Sequence, residues 1–436
     1  MNERETAPSG DTHPGFLKPA GPNLGLAPPR GVAAPRPGMF SSLRHRVFRN
    51  YWTGLFLSNI GSWMQTVALG WLVLRLSDSA FVLGLVTFAG SIPSLLLAPL
   101  AGVAADRLDR RSLLMATQFI QMVCALFLAA STGLGFASVP LVAAVAIVNG
   151  IANALMTPSH QSLFLDLVGR ADLMNAIALN SMQFNLSRVV GPMLAGFTIA
   201  AFSETVCFLL NAVSFVAFLV PLATLPPLPA RRGRRRGAWV DLRIGLRFAR
   251  RDKIMPSLLA ISGAIAIFGT PVVTLAPLFA RRLLHVGPEG LGGMLSAVGL
   301  GAVVTALAVA SLGDFARKGR GVILAASGFA LSLVGFALSR NYVLSLGFLA
   351  VLGGAMMSCS SLINTLMQKR APDRLRGRVI SLYVLTWLGF VPLGNLQAGA
   401  VAERFGEAAA LFVGAAGIAV TLVLVRLARP IPPEAA

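Results

Sequence analysis

Long apolar runs broken by short charged stretches dominate the pattern of this chain. Twelve runs stand out, at about 52–74, 81–104, 112–133, 139–159, 174–200, 205–226, 254–280, 290–312, 321–339, 342–366, 378–400 and 407–426. Each approaches the roughly 20 apolar residues that a helix needs to cross the hydrocarbon core. None alternates apolar and polar residues with period two, so barrel strands are excluded. The pattern predicts an all-α membrane protein with twelve transmembrane helices.

The breaks carry a second message. Between runs two and three lies Gly102-Val103-Ala104-Ala105-Asp106-Arg107-Leu108-Asp109-Arg110-Arg111, and between runs eight and nine lies the related Asp314-Phe315-Ala316-Arg317-Lys318-Gly319-Arg320. Asp106 maps on Asp314 at an offset of 208, Gly150 on Gly354 at 204, Gly191 and Gly196 on Gly394 and Gly399 at 203, and Gly61 on Gly263 at 202. An ordered series with a nearly constant offset predicts two pseudo-symmetric six-helix bundles. The expected organisation is a disordered cytoplasmic tail over 1–39, a first bundle over 40–226, a basic linker over 227–253, a second bundle over 254–428 and a short tail over 429–436.

Composition narrows the class. The 436 residues are 55% hydrophobic and 12% charged, and the mean hydropathy is +0.73; a soluble chain carries about a quarter charged residues. The net charge of +20 does not imply nucleic acid, because no aromatics interleave with the basic run Arg231-Arg232-Gly233-Arg234-Arg235-Arg236. With the amino terminus inside, basic residues gather on the cytoplasmic side. Arg75, Arg281, Arg282, Arg340 and Arg404 fall outside, and Arg188 lies within a span. That bias orients the chain in a bacterial inner membrane with both termini cytoplasmic. The three cysteines and four histidines lack ligand spacing, so no metal and no cofactor is expected. The first 39 residues hold eight prolines and six glycines and no apolar core, hence the expected disorder.

The residues in these breaks resemble a known family. Gly102, Asp106, Arg107, Arg110 and Arg111 are similar to the signature after helix 2 of the major facilitator superfamily, with Asp109 standing where glycine is usual. Phe48-Arg49-Asn50-Tyr51-Trp52 and Asn185-Leu186-Ser187-Arg188-Val189-Val190-Gly191-Pro192 resemble the branch of enterobactin-type siderophore exporters and macrolide-type efflux proteins. The resemblance implies alternating access around a central cavity. It also implies a cytoplasmic gate in which Asp106 caps the start of helix 11, with Asp314 and Arg317 making a mirror contact near Asp172.

Polar residues in spans supply the cavity candidates: Asn59, Trp63 and Gln65 in helix 1, Asn149 and Asn153 in helix 4, Asn185 and Arg188 in helix 5, Asn364 in helix 10, and Tyr383 and Trp387 in helix 11. Interhelical hydrogen bonding or simple packing explains each equally well. Arg188 is the sharpest, since a guanidinium in a span is costly unless paired or hydrated. It reads either as an anion or coupling group or as a structural pin. Gly191 and Pro192 beyond it suit a bending helix or a packing kink. No carboxylate lies at mid-depth, leaving Asp78 near Arg75 and Asp166 near His160 as candidate proton relays or surface ion pairs.

The expectation is a monomeric secondary transporter that exports a small organic molecule, a drug or a siderophore, with protons as the coupling ion and lipid as its surroundings. Metabolite uptake is the alternative within transport; a membrane enzyme or a non-transporting sensor is the alternative outside it. No P-loop and no clustered catalytic residues favour either of the latter.

Overall fold

A computed structural model describes residues 41–226, 238–312, 317–428 and 431. The tail 1–39, the tail 429–436 apart from Ile431, the arginine run 231–236 and Asp314 lie outside them. A 3-10 turn, Ser41–Arg44, leads into α1 (Arg46–Ser77), α2 (Ala80–Arg107) and α3 (Arg110–Gly133). The helical run Val139–Ala201 breaks at Gly169, whose φ of 70° leaves the helical region, so it is two helices, α4 (139–168) and α5 (170–201). There follow α6 (Glu204–Ala223), α7 (Ala238–Arg251) and α8 (Met255–Leu283), the last containing two π-helical turns. The chain ends with α9 (Pro288–Leu312), α10 (Lys318–Leu338), α11 (Tyr342–Arg370), α12 (Arg376–Phe405) and α13 (Glu407–Ala428).

Ten of these helices are long and apolar enough to cross a membrane. Of the other three, α7 is a 14-residue helix, while α1 and α5 carry the polar residues Asn59, Gln65, Asn185 and Arg188 and pack on each other: a methyl at Gly191 would lie 2.5 Å from Trp63 Cβ. Leu209, Val213, Val216 and Val220 of α6, and Val420, Val423 and Leu424 of α13, point outward, an arrangement stable only in a nonpolar surround. Gln118 and Gln121 of α3 look inconsistent with a lipid-facing helix, but both are buried against α4, where Gln121 donates to Asn153 at 3.1 Å.

Helix starts follow local chemistry. Ser79 accepts from Val82 N at 3.2 Å, and Asn341 accepts from Leu344 N at 3.1 Å, each replacing an amide bond the first turn lacks. Asp109, the departure from the superfamily signature, does the same for α3: it accepts from Ser112 N at 2.8 Å and Ser112 Oγ at 2.7 Å.

Contacts repeat along the chain. Gly84 of α2 meets Gly399 of α12, and Gly292 of α9 meets Gly196 of α5; Gly84 and Gly292 are 208 residues apart, Gly196 and Gly399 are 203 apart. Gly191 rests on the Ile60 carbonyl and Gly394 on the Ile267 carbonyl; Gly150 meets Gly90, and Gly353 meets Val298. Two sequence matches are corrected: Gly353, not Gly354, is the counterpart of Gly150, and the match of Gly61 changes as well. The Ile60–Ile267 offset of 207 makes Phe268, not Gly263, the counterpart of Gly61. Gly61 packs on Asn211 and Ser214, whereas Phe268 packs on Gly414, so a small residue has moved from one side of the crossing to the other.

Candidate functional site

Two clusters of charge mark the two ends of the molecule. At the Arg110 end, the α2–α3 turn holds its own side of the structure together. Arg110 is 4% exposed and donates to Asp166 at 2.9 Å. Arg111 donates to the carbonyls of Leu222 and Ala223 at 3.1 and 2.6 Å, satisfying the free carbonyls at the end of α6. The side chains of Gly102, Asp106 and Arg107 lie outside the described residues, although their backbone closes α2. Arg317 precedes α10 and is exposed. Asp172 accepts from Ser41 Oγ and contacts His45 Nε2, both at 2.8 Å. Asp166 therefore pairs with Arg110 and not with His160, which is ringed by Tyr51 and Phe164.

The Asp78 end joins segments from opposite halves of the sequence. Glu403 of α12 accepts three hydrogen bonds at the start of α2, from Ala80 N at 2.7 Å, Ser79 Oγ at 3.0 Å and Phe81 N at 3.2 Å. Arg282 of α8 donates to Glu407 at 2.7 Å and to the Asp78 carbonyl at 2.5 Å. Arg281 lies 3.6 Å from the Asp78 carboxylate. Arg75 faces Glu204 at 3.4 Å, so Asp78 pairs with Arg281 and Arg282 and not with Arg75. The Gly84–Gly399 and Gly196–Gly292 crossings close the same end.

Between the ends lie the cavity candidates. Trp63 is the best-placed: the Arg188 guanidinium carbon sits 5.9 Å from its ring centroid, and Phe184 meets the ring edge-on at 6.4 Å. Among the described residues the Arg188 guanidinium has no ion pair or hydrogen bond. Its carbonyl abuts Gly299 of α9, placing it where α1, α5 and α9 meet. Tyr383 and Trp387 meet edge-on at 6.5 Å. Other candidates are engaged in the scaffold. Gln65 accepts from Asn211 at 2.7 Å and Asn153 from Gln121, Asn149 and Asn185 donate to carbonyls of their own helices, and Asn364 accepts from Gln368. Asn59 is half-buried. Pro192 follows Gly191 inside α5, and its carbonyl meets Gly292. Sequence reasoning missed Glu403; the signal was an acidic residue closing one helix opposite the uncapped amides that open another.

The family described as transmembrane secretion effector matches residues 37–436. The staphyloferrin A transporter of Staphylococcus aureus is 24% identical, over 86% of this chain and 94% of its own length. The enterobactin exporter EntS of Shigella boydii is 26% identical, over 88% and 93%. Among solved structures, a bacterial homologue of the human lysosomal transporter Spinster superposes with a TM-score of 0.71 at 14% identity, covering 90% of this chain and 98% of its own. The nucleoside transporter NupG gives 0.70 at 15% identity, covering 87% and 98%. These structures share the fold. The chain is a multi-pass membrane transporter and not an enzyme.

Proposed function

Because the chain belongs to the transmembrane secretion effector family of the major facilitator superfamily, we propose that it exports a siderophore-like small molecule by alternating access, driven by protons. The observation that carries this reading is similarity along nearly the whole chain to two siderophore carriers. In it, twelve helices form two bundles, 40–226 and 254–428, joined by the basic linker 227–253. The Arg110 end faces the cytoplasm of a bacterial cell with both termini, the protein acts as a monomer, and the Asp78 end faces out.

Support for alternating access comes from the paired glycine crossings. Glycine lets helix backbones touch and slide without interlocked side chains, and here two such crossings relate the halves. The conformation is closed at the Asp78 end. Asp106 and the start of α12 form the cytoplasmic gate that closes when this end opens. Siderophores hold ferric iron through hard oxygen donors, many of them anionic, and Arg188 beside Trp63 stands near the middle of α5 with no ion pair or hydrogen bond among the described residues. It receives the substrate anion while Trp63, Tyr383 and Trp387 contact its apolar parts.

Transport in inside-out vesicles tests the proposal. With an acidic lumen, the vesicles should accumulate the iron chelator that the producing cell secretes, and a protonophore should abolish accumulation. Deletion of the gene should remove chelator from the medium. Chelator secretion unchanged by deletion, or uptake only into right-side-out vesicles, overturns export. Cysteines at Phe136 and Leu108, exposed residues of the α3–α4 and α2–α3 turns, should label from outside and inside respectively.

A further inference from the structure

The two helix crossings at the Asp78 end are related by the repeat, yet they differ in chemistry. At the α2–α12 crossing, Glu403 holds Ser79 Oγ, Ala80 N and Phe81 N. The offset of 203 that relates Gly196 to Gly399 places Ala200 at the position of Glu403. The offset of 208 that relates Gly84 to Gly292 places Gly287, Pro288 and Glu289 at those of Ser79, Ala80 and Phe81. Gly287 has no hydroxyl, and Pro288 has no amide hydrogen. Both the acceptor and two of the three donors are therefore missing at the α5–α9 crossing, where the backbones meet through Gly196 and Gly292 and Ser296 donates to the Val189 carbonyl at 2.7 Å. One crossing is fastened by a charge and the other by contact and a neutral hydrogen bond.

We propose that Glu403 is a proton-binding site whose protonation from the outer side releases the α2–α12 crossing, while the α5–α9 crossing serves as the hinge. This rests on the proton-driven reading above and names the site it lacked, since no carboxylate among the described residues lies at mid-depth. An ionised carboxylate makes charge-assisted bonds to amides at a helix start, where the helix dipole also favours negative charge. A proton removes that charge and turns one oxygen into a donor facing other donors. Protons therefore bind preferentially to the released form, and by linkage acid on the outer side populates it.

The other titratable groups at this end are less suited. Asp78 is 62% exposed beside Arg281 and Arg282, and Arg282 keeps hold of the Asp78 carbonyl when that carboxylate is neutral. Glu407 pairs with Arg282 and Glu204 with Arg75 within their own halves. His285 and Glu289 begin the α9 side, and Arg404 neighbours Glu403 on its own helix. Only Glu403, among the described carboxylates, bonds directly to the helix start across the α2–α12 crossing.

Spin labels at Phe81→Cys and Phe405→Cys, both exposed positions, report the separation of the crossing in nanodiscs; the three native cysteines are buried. Lowering the pH from 7.5 to 4 should raise the long-distance population at least about twofold, because the two forms differ in bound protons only where a carboxylate takes one up. Glu403→Gln should show the long distance at both pH values. Glu403→Asp, which keeps the charge, should retain the pH response and controls for folding. A pH response surviving in Glu403→Gln, or no response in the parent protein, overturns the proposal. Substrate-coupled proton flux measured in parallel tells the two failures apart: flux without a distance change sinks Glu403 as the site, and absent flux sinks proton coupling itself.

Discussion

Glu407 opens α13 and accepts from Arg282 at 2.7 Å, and the pair has a counterpart near the start of the chain, where Glu204 opens α6 and faces Arg75 at 3.4 Å. Acidic first residues suit the positive end of the helix dipole in both places. The geometries differ in strength. Arg75 is half exposed and distant, whereas Arg282 is held by Glu407 and the Asp78 carbonyl together. Glu407→Gln should therefore lower thermal stability in detergent by about 1–2 kcal/mol, and Glu204→Gln by under about 1 kcal/mol. Equal losses would show that the repeat, and not the local hydrogen bonding, sets their worth.

The glycine crossings give a sharper contrast. A Cβ at Gly84 would lie 2.5 Å from the Asn395 carbonyl, whereas nothing lies within 4 Å of one at Gly347 in α11. Gly84→Ala should force α2 from α12 and cost about 1–3 kcal/mol. Gly347→Ala should be neutral or stabilising by up to about 1 kcal/mol, because alanine favours helix. Melting curves of the two purified variants decide the matter.

Arg188 separates two roles by measurement. If it receives the substrate, Arg188→Gln should fold with normal or raised melting temperature and lose transport at least tenfold per folded molecule. Arg188→Lys should restore only part, since an ammonium lacks the planar fork. If it is a structural pin, stability and membrane abundance should fall in step with transport. Per-molecule rates in proteoliposomes, set beside melting temperatures, distinguish the two.

Asp252 governs a pH-dependent anchor in the linker. It accepts from Ile254 N and Met255 N at 2.9 and 3.0 Å and from Arg370 at 3.2 Å. Burial alone raises its pKa, but the bonds from Ile254, Arg370 and Met255 and the Arg370 charge outweigh it, and the net direction is down. Its stabilisation is thus complete above the ordinary carboxylate range and fades as pH falls through the depressed folded value. Asp252→Asn should cost about 1 kcal/mol at neutral pH and converge with the parent protein in acid. A constant gap between the two melting temperatures down to low pH contradicts the assignment.

Much of this was legible in the sequence because a membrane enforces long apolar runs. The apolar runs fell on observed helices, and the matched glycines at 191 and 394, and at 196 and 399, occupy related contacts. The match of Gly61 to Gly263 failed because glycine can serve a crossing from either helix: Gly61 supplies the space in α1, but Gly414 supplies it in α13 opposite Phe268. Ion-pair partners were the hardest to read. Asp78 and Arg75 are three apart on the chain, yet α1 ends between them and Asp78 turns at φ 46°, sending it to Arg281 and Arg282. Long-range partners such as Glu403 and Ala80, 323 residues apart, are invisible to local patterning.

Two identical subunits meeting about a twofold axis must place the same residue at both of their equivalent contacts. A fused chain is free of that constraint. Glu403 at one crossing and Ala200 at the other is a difference that no homodimer of six-helix units can encode. Joining the copies gave the two contacts separate histories, so that selection could harden one into a fastening and leave the other as a pivot.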